Sequence, residues 1–252
     1  MTAKPETEKN SWLDAIRRDW DTRAKEDARA YINWPDVANN ESAFFASGGE
    51  DYERYVAPFL KKMRFDPRGK VGLEIGCGIG RIARRMIEDF GEYIGVDVSP
   101  EMIRKASSYG LPRATFQAVS GGDLAGIASA SVDFVLSFAV FQHVPDKQAI
   151  FNYFAETARV LRRGGLFRLH MKGLWTLALG RLALEAGFSN KTLFGGAAPT
   201  RIPFVRLRYL DTWQGRSIRP AEAIAKCKSL GLEVLDTEGE WTTMMWVGGR
   251  KR

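Results

Sequence analysis

The chain has 252 residues, is 45% hydrophobic and 27% charged, and carries a formal net charge of +7. That length buries a full core without staples, and the balance of residues excludes fibrous, disordered and disulfide-scaffold classes. Two cysteines make no disulfide framework and no apolar run approaches a bilayer span, so a soluble protein of a reducing compartment is expected, cytoplasmic because Met1 to Asn10 is polar and offers no signal pattern.

Residues 1–62 read as an N-terminal helical cap segment. Trp12, Leu13, Ile16 and Trp20 recur at the spacing of one helix face. The two tryptophans suit an interfacial membrane helix, but packing over a core is the better reading. Tyr31 to Asn40, containing Trp34-Pro35, should break the helix, and a second should start after Ser47-Gly48-Gly49 and run from Glu50 to Leu60. From Lys70 onward strand and helix signals alternate, which implies parallel strands with crossover helices in the core domain, 63–252.

Val71-Gly72-Leu73-Glu74-Ile75 is a short apolar strand, and Gly76-Cys77-Gly78-Ile79-Gly80 leads from it into a helix over Arg81–Phe90. Glycines on alternate positions let the backbone turn sharply and a ligand approach it. The spacing is G-x-G-x-G, not the G-x-G-x-x-G of dinucleotide sites. Glu74 would repel a phosphate at that point but suits an ammonium or sulfonium charge. A second strand, Tyr93–Asp97, ends in a carboxylate about twenty residues after the loop, where an acid can hold both hydroxyls of a ribose. Ser99 and Pro100 then start a helix over Glu101–Ser108 as cap and first-turn proline.

Leu73-Glu74-Ile75-Gly76-Cys77-Gly78-Ile79-Gly80 and Gly95-Val96-Asp97-Val98-Ser99-Pro100-Glu101-Met102-Ile103 closely resemble the first two motifs of the class I S-adenosylmethionine-dependent methyltransferases, in their small-molecule branch. The resemblance covers Lys70 to His170 well and the C-terminus loosely. It implies a Rossmann-like α/β fold: a mostly parallel seven-stranded sheet with an antiparallel last strand, plus the N-terminal helical cap. It implies S-adenosylmethionine as cofactor and S-adenosylhomocysteine as product. Glu74, Gly76, Gly78 and Gly80 would face the methionine part, Asp97 the ribose, and Val98 and Met102 the adenine. A third motif places an acid after the third strand; here that position falls on Ser120, with Asp123 three residues later as a replacement or a simple turn residue. Leu124 and Ser137 complete the expected cofactor site.

Further strands are expected at Ala114–Ala118, Val132–Ser137 and Gly165–His170, with a helix over Lys147–Leu161. Ligands in open α/β sheets bind beyond the carboxyl ends of the strands, and both histidines of the chain, His143 and His170, lie there. Either is a candidate general base, set against a role in ordering its own loop. Ser137-Phe138-Ala139-Val140-Phe141-Gln142-His143 lacks the Asn/Asp-Pro-Pro-Tyr sequence of nucleic-acid amino-methyltransferases. After Met171 the rhythm stops, and an insertion or lid is expected over 172–215, apolar from Gly173 to Phe188. Tyr31, Tyr52 and Trp175 are candidate substrate walls. Pro220–Leu230 should be a helix, and Glu233–Thr237 and Trp241–Val247 the closing strands.

Dispersed basic residues without interleaved aromatics make nucleic acid a disfavoured partner, although an RNA methyltransferase stays open through the net charge. A cofactor-binding protein without transfer activity is the other alternative, and a nicotinamide dehydrogenase a remote one. No cluster has metal-ligand spacing. The expected acceptor is a small or lipid-like metabolite, methylated at O, N or C; the oligomeric state is not readable.

Overall fold

The computed structural model describes residues 6–33, 35–173, 215–240 and 242–252. The expected insertion therefore falls, from residue 174 to residue 214, outside the described residues, as does Trp175. Four helices precede the sheet: α1 (Glu6–Ile32), α2 (Pro35–Ala38), α3 (Glu41–Tyr55) and α4 (Ala57–Lys62). Then come β1 (Val71–Ile75), α5 (Ala83–Asp89), β2 (Glu92–Asp97), α6 (Pro100–Ser108), β3 (Ala114–Ala118) and β4 (Val132–Ser137). The chain continues through α7 (Lys147–Val160), β5 (Leu161–Met171), α8 (Pro220–Ser229), β6 (Leu232–Glu238) and β7 (Met245–Lys251).

The seven strands form one sheet in the order β3-β2-β1-β4-β5-β7-β6. Six strands point the same way, and β7 alone among them lies antiparallel, between β5 and β6. The order reverses between β1 and β4, and in open α/β sheets ligands bind in the crevice beyond the carboxyl ends of the strands at such a point. One face buries Leu73, Ile75, Val96, Val135, Phe167 and Leu169 against α7 and α8. The other buries Tyr93, Phe134, Leu136, Leu166 and Trp246 under α3, α4 and α5. Each large apolar side chain so removed from water contributes roughly 1.5–3 kcal/mol. A third cluster joins Ala24, Ala28, Phe44 and Phe45 of the N-terminal helices to Ile79 in the glycine loop and Met102 on α6.

Four boundaries differ from the expectations, each for a tertiary reason. Helix α3 starts at Glu41, where the Asn40 side chain accepts from the Ala43 N–H, and runs through Gly48-Gly49 instead of starting after them. A Cβ on Gly48 would stand 2.0 Å from the Arg81 carbonyl oxygen, so glycine serves close helix packing there. Helix α1 continues past Tyr31 to Ile32 with its break at Asp27 (φ −162°, ψ 91°), whose carboxylate accepts from the Ala30 N–H and starts the second piece. Strand β5 begins at Leu161, with a register irregularity where Arg162 to Gly165 depart from regular pairing with β4. Strand β7 begins at Met245, not at Trp241 (outside the described residues): Thr242 donates to the Gly239 carbonyl and accepts from the Met244 N–H, forming a turn instead.

Candidate active site

The loop from Gly76 to Gly80 is pinned to β2. Gly76 and Cys77 both donate to the Val96 carbonyl, at 2.7 and 3.0 Å. Gly76 (φ +75°) and Gly78 (φ +54°) occupy the left-handed region, which glycine enters without a Cβ penalty. A Cβ on Gly76 would lie 2.1 Å from Val140, and one on Gly78 would lie 2.8 Å from Ile32 of α1. The loop is thus held between the segment after β4 and the N-terminal cap.

Asp97, half-buried at the end of β2, accepts from the Gly78 N–H and the Ser99 N–H, each at 2.9 Å. Two carboxylate oxygens have further lone pairs, so two hydroxyls can still be accepted. Burial pushes its pKa up to about 6, against the backbone N–H bonds that favour the ionised form. Glu74 is buried on the face under α5, where the Tyr93 hydroxyl donates to it at 2.6 Å. Burial pushes its pKa up to about 7, opposed by that hydrogen bond and by the Arg81 charge. The structure therefore gives the Glu74 carboxylate a partner within the protein, beneath the loop.

Ser137, opposite Ile75 in the β1–β4 pairing, has a buried hydroxyl with no hydrogen-bond partner among the described residues. An orphaned hydroxyl beside a glycine turn fits a polar ligand group, since burying it unpaired costs about 1–3 kcal/mol. With Asp97 and the glycine loop it makes a set of donors and acceptors that fits S-adenosylmethionine.

The other expected cofactor residues divide. Val98 is half-buried and packs against Gly121. Met102 is fully packed in the cluster under α1 and α3, and Leu124 in the main core, so neither presents an open surface. Ser120 accepts from the Gly122 N–H, and exposed Asp123 accepts from the Ala125 N–H, so both shape their own turns.

The candidate substrate residues divide likewise. Tyr31 stands on α1, its hydroxyl donating to Glu26. Tyr52 is fully buried between α3 and α5 and donates to Asp89 near the far end of α5; this corrects its expected place on the cleft. His143 lies in a one-turn 3-10 helix after β4, with its Nε2 3.1 Å from the Gln142 side-chain nitrogen and its ring edge-on to Trp20 at 5.3 Å. His170 is fully buried, with both ring nitrogens hydrogen-bonded to backbone.

Helix α1 packs on the segments that follow the strand ends. Leu13 packs within 3.3 Å of where a Cβ would stand on Gly121 and on Gly122. Asp21 accepts from the Ser99 hydroxyl and the Glu101 N–H at the start of α6, and Lys105 donates to the Ala24 carbonyl. The periodicity gave the apolar face of α1 away, but not what it packs on. Among the described residues, no group of His, Cys, Asp or Glu is placed to hold a metal ion.

A family model described as a methyltransferase domain matches residues 73–169, the span from β1 to β5. The ubiquinone biosynthesis O-methyltransferase of Xanthomonas axonopodis pv. citri is 26% identical over 179 residues, 70% of this chain and 68% of that protein. The 2-methyl-6-phytyl-1,4-hydroquinone methyltransferase of Synechocystis is 33% identical over 102 residues, 40% of this chain and 31% of that protein. The crystal structure of magnesium protoporphyrin IX methyltransferase from Synechocystis PCC 6803, with bound S-adenosylhomocysteine, shares the fold: TM-score 0.65 at 18% identity, over 95% of this chain and 99% of that one. Fold and loop together define a class I methyltransferase architecture. Residues 73–169 carry the methyltransferase domain, and the family match and the named relatives support an S-adenosylmethionine-dependent methyltransferase.

Proposed function

We propose that the enzyme methylates an oxygen of a small, ring-bearing or lipid-like metabolite, in the space between the segment after β4 and helix α1. The observation that carries this reading is the Trp20–His143 edge contact, which sets an aromatic wall beside an imidazole just beyond the β4 terminus. The relative named ubiquinone biosynthesis O-methyltransferase supports transfer to oxygen, and the one named for a phytyl hydroquinone supports a ring-bearing, lipid-like acceptor. Residues 1–62 then act as a cap segment over the 63–252 core, and a cytoplasmic setting suits the two buried, unbonded cysteines.

S-adenosylmethionine supplies an already activated methyl group. What the chain adds is binding and orientation. Asp97 would hold the ribose hydroxyls, Ser137 and the amides of Gly76 to Gly80 the amino-acid end, and Val98 with Leu13 the adenine side. Glu74 would act from beneath the loop as a buried negative charge. Trp20 and Tyr31 would orient the acceptor ring and exclude water, and His143 would take the proton from the acceptor hydroxyl.

Calorimetric titration with S-adenosylhomocysteine, followed by turnover assays with catechol and hydroquinone acceptors and an RNA transcript, tests the reading. Expected are micromolar binding and turnover of a ring hydroxyl. Turnover of the RNA alone would replace this reading by the nucleic-acid one. In His143→Ala, turnover should fall by about 100-fold, within the range for general bases, with product affinity unchanged; lost affinity would make His143 a part of the cofactor pocket.

A further inference from the structure

His170 ends up in an unusual position for a candidate base. Its Nδ1 accepts from the Ala139 N–H at 3.1 Å, and its Nε2 lies 3.1 Å from the Thr243 carbonyl, to which only an N–H can donate. These two bonds coexist only in the neutral tautomer with the proton on Nε2. Burial pushes its pKa down to about 4, which keeps the ring in that form. The ring is further boxed in by Phe138 at 5.4 Å and Trp246 at 5.0 Å, and Phe138 stacks on Trp246 at 5.2 Å. No lone pair is left to accept a substrate proton.

The residue it grips is strained. Ala139 has φ +59°, the left-handed region that a residue with a Cβ rarely enters. The next residue, Val140, fills the place where a Cβ on Gly76 would be, and three further on is His143. A change of backbone direction at Ala139 would move both the wall of the glycine loop and the candidate base.

We propose that His170 is a positioning residue: its neutral imidazole holds Ala139 left-handed, and so sets Val140 against the glycine loop and His143 at the acceptor side. The inference rests on the cofactor site proposed above. It explains a buried histidine at a strand end without giving it a step in the chemistry. Asparagine can supply an acceptor near the Nδ1 position, phenylalanine cannot, and glycine at 139 needs no holding.

The test is S-adenosylhomocysteine affinity and turnover for four folded variants beside wild type. His170→Phe should weaken product affinity by about tenfold, the scale of a lost hydrogen bond plus displaced contacts. His170→Asn should bind within about threefold of wild type. The double variant Ala139→Gly with His170→Phe should recover much of the loss. Ala139→Val, which leaves His170 intact, should weaken binding as His170→Phe does. Unchanged affinity in His170→Phe overturns the proposal. So does lost turnover in both His170 variants with affinity intact, the signature of a base. Should His170→Phe not fold, the Ala139→Val and His170→Asn pair decides: the first must weaken binding and the second must not. Absence of binding by wild type would overturn the cofactor-site reading together with this one, whereas binding by wild type equalled in His170→Phe overturns this one alone.

Discussion

Asp97 organises the loop and, in the proposed site, the ribose, so its protonation should govern cofactor affinity. A native pKa of about 6 lies above the ordinary 3.8, so the folded state favours the protonated acid. The sign follows: Asp97 erodes stability as pH rises from about 4 to about 6, and the cost is fully present above that. Ribose hydroxyls favour the ionised form, so product affinity should fall by about tenfold per pH unit below pH 6. Calorimetry at pH 7.5 and 5 measures this, and Asp97→Asn should flatten the profile. Asp97→Ala should cost about 1.5–3 kcal/mol of binding, the scale of hydrogen bonds to a charged group; unchanged affinity would sink the ribose role. The same residue shows what a sequence discloses. A carboxylate at the end of a strand, a set distance after a glycine turn, is local information and was legible. The partners of His170 lie 31 and 73 positions away, and nothing local announces them. Tyr52 was misplaced for the same reason, since an aromatic on a helix face does not say which neighbour it meets.

Among the elements, the strands of the parallel half were legible because apolar runs bounded by turn residues need no tertiary context. Helix α3 was not, because Ser47-Gly48-Gly49 reads locally as a break. What keeps it helical is contact with Arg81, which also pairs with Asp51 one turn on. Two effects oppose each other in Gly48→Ala. Helix propensity gains about 1 kcal/mol, but overpacking against a backbone carbonyl costs about 1–3 kcal/mol or more, with no rotamer able to relieve it. Overpacking should win, and thermal unfolding should show a lower Tm; a raised Tm would mean that α3 and α5 can separate freely. Helix α1 depends on the Asp21 contacts with α6. In Asp21→Ala, hydrogen exchange in α1 should quicken with little change in the sheet, and the loss of stability should be about 1–2 kcal/mol. Equal protection in the variant would show that Lys105 and the apolar face suffice to hold the cap.

Across the whole molecule, the two halves of the sheet are joined by charge as well as by pairing. Buried Arg168 on β5 bonds Asp236 on β6 at 2.5 Å and Glu238 at 2.9 Å, reaching over β7, and Lys62 of α4 meets the same Asp236. Removing Asp236 leaves buried Arg168 with only the exposed Glu238 as counter-charge among the described residues, so Asp236→Ala should cost about 3 kcal/mol. Replacing Arg168 and Asp236 together by Met and Leu should recover much of that in a denaturant titration; no recovery would mean that the pair contributes more than mutual neutralisation. The strand between them has a consequence for the growing chain. In order of synthesis β7 is the last of the seven strands, yet in space it is sixth, between β5 and β6. Until it arrives, both neighbours present open edges of the kind that recruit foreign strands. The ribosome thus delivers a finished five-stranded parallel sheet while β6 still lacks the strand that joins it, and until β7 closes the gap the edges of β5 and β6 stay available to any strand that meets them.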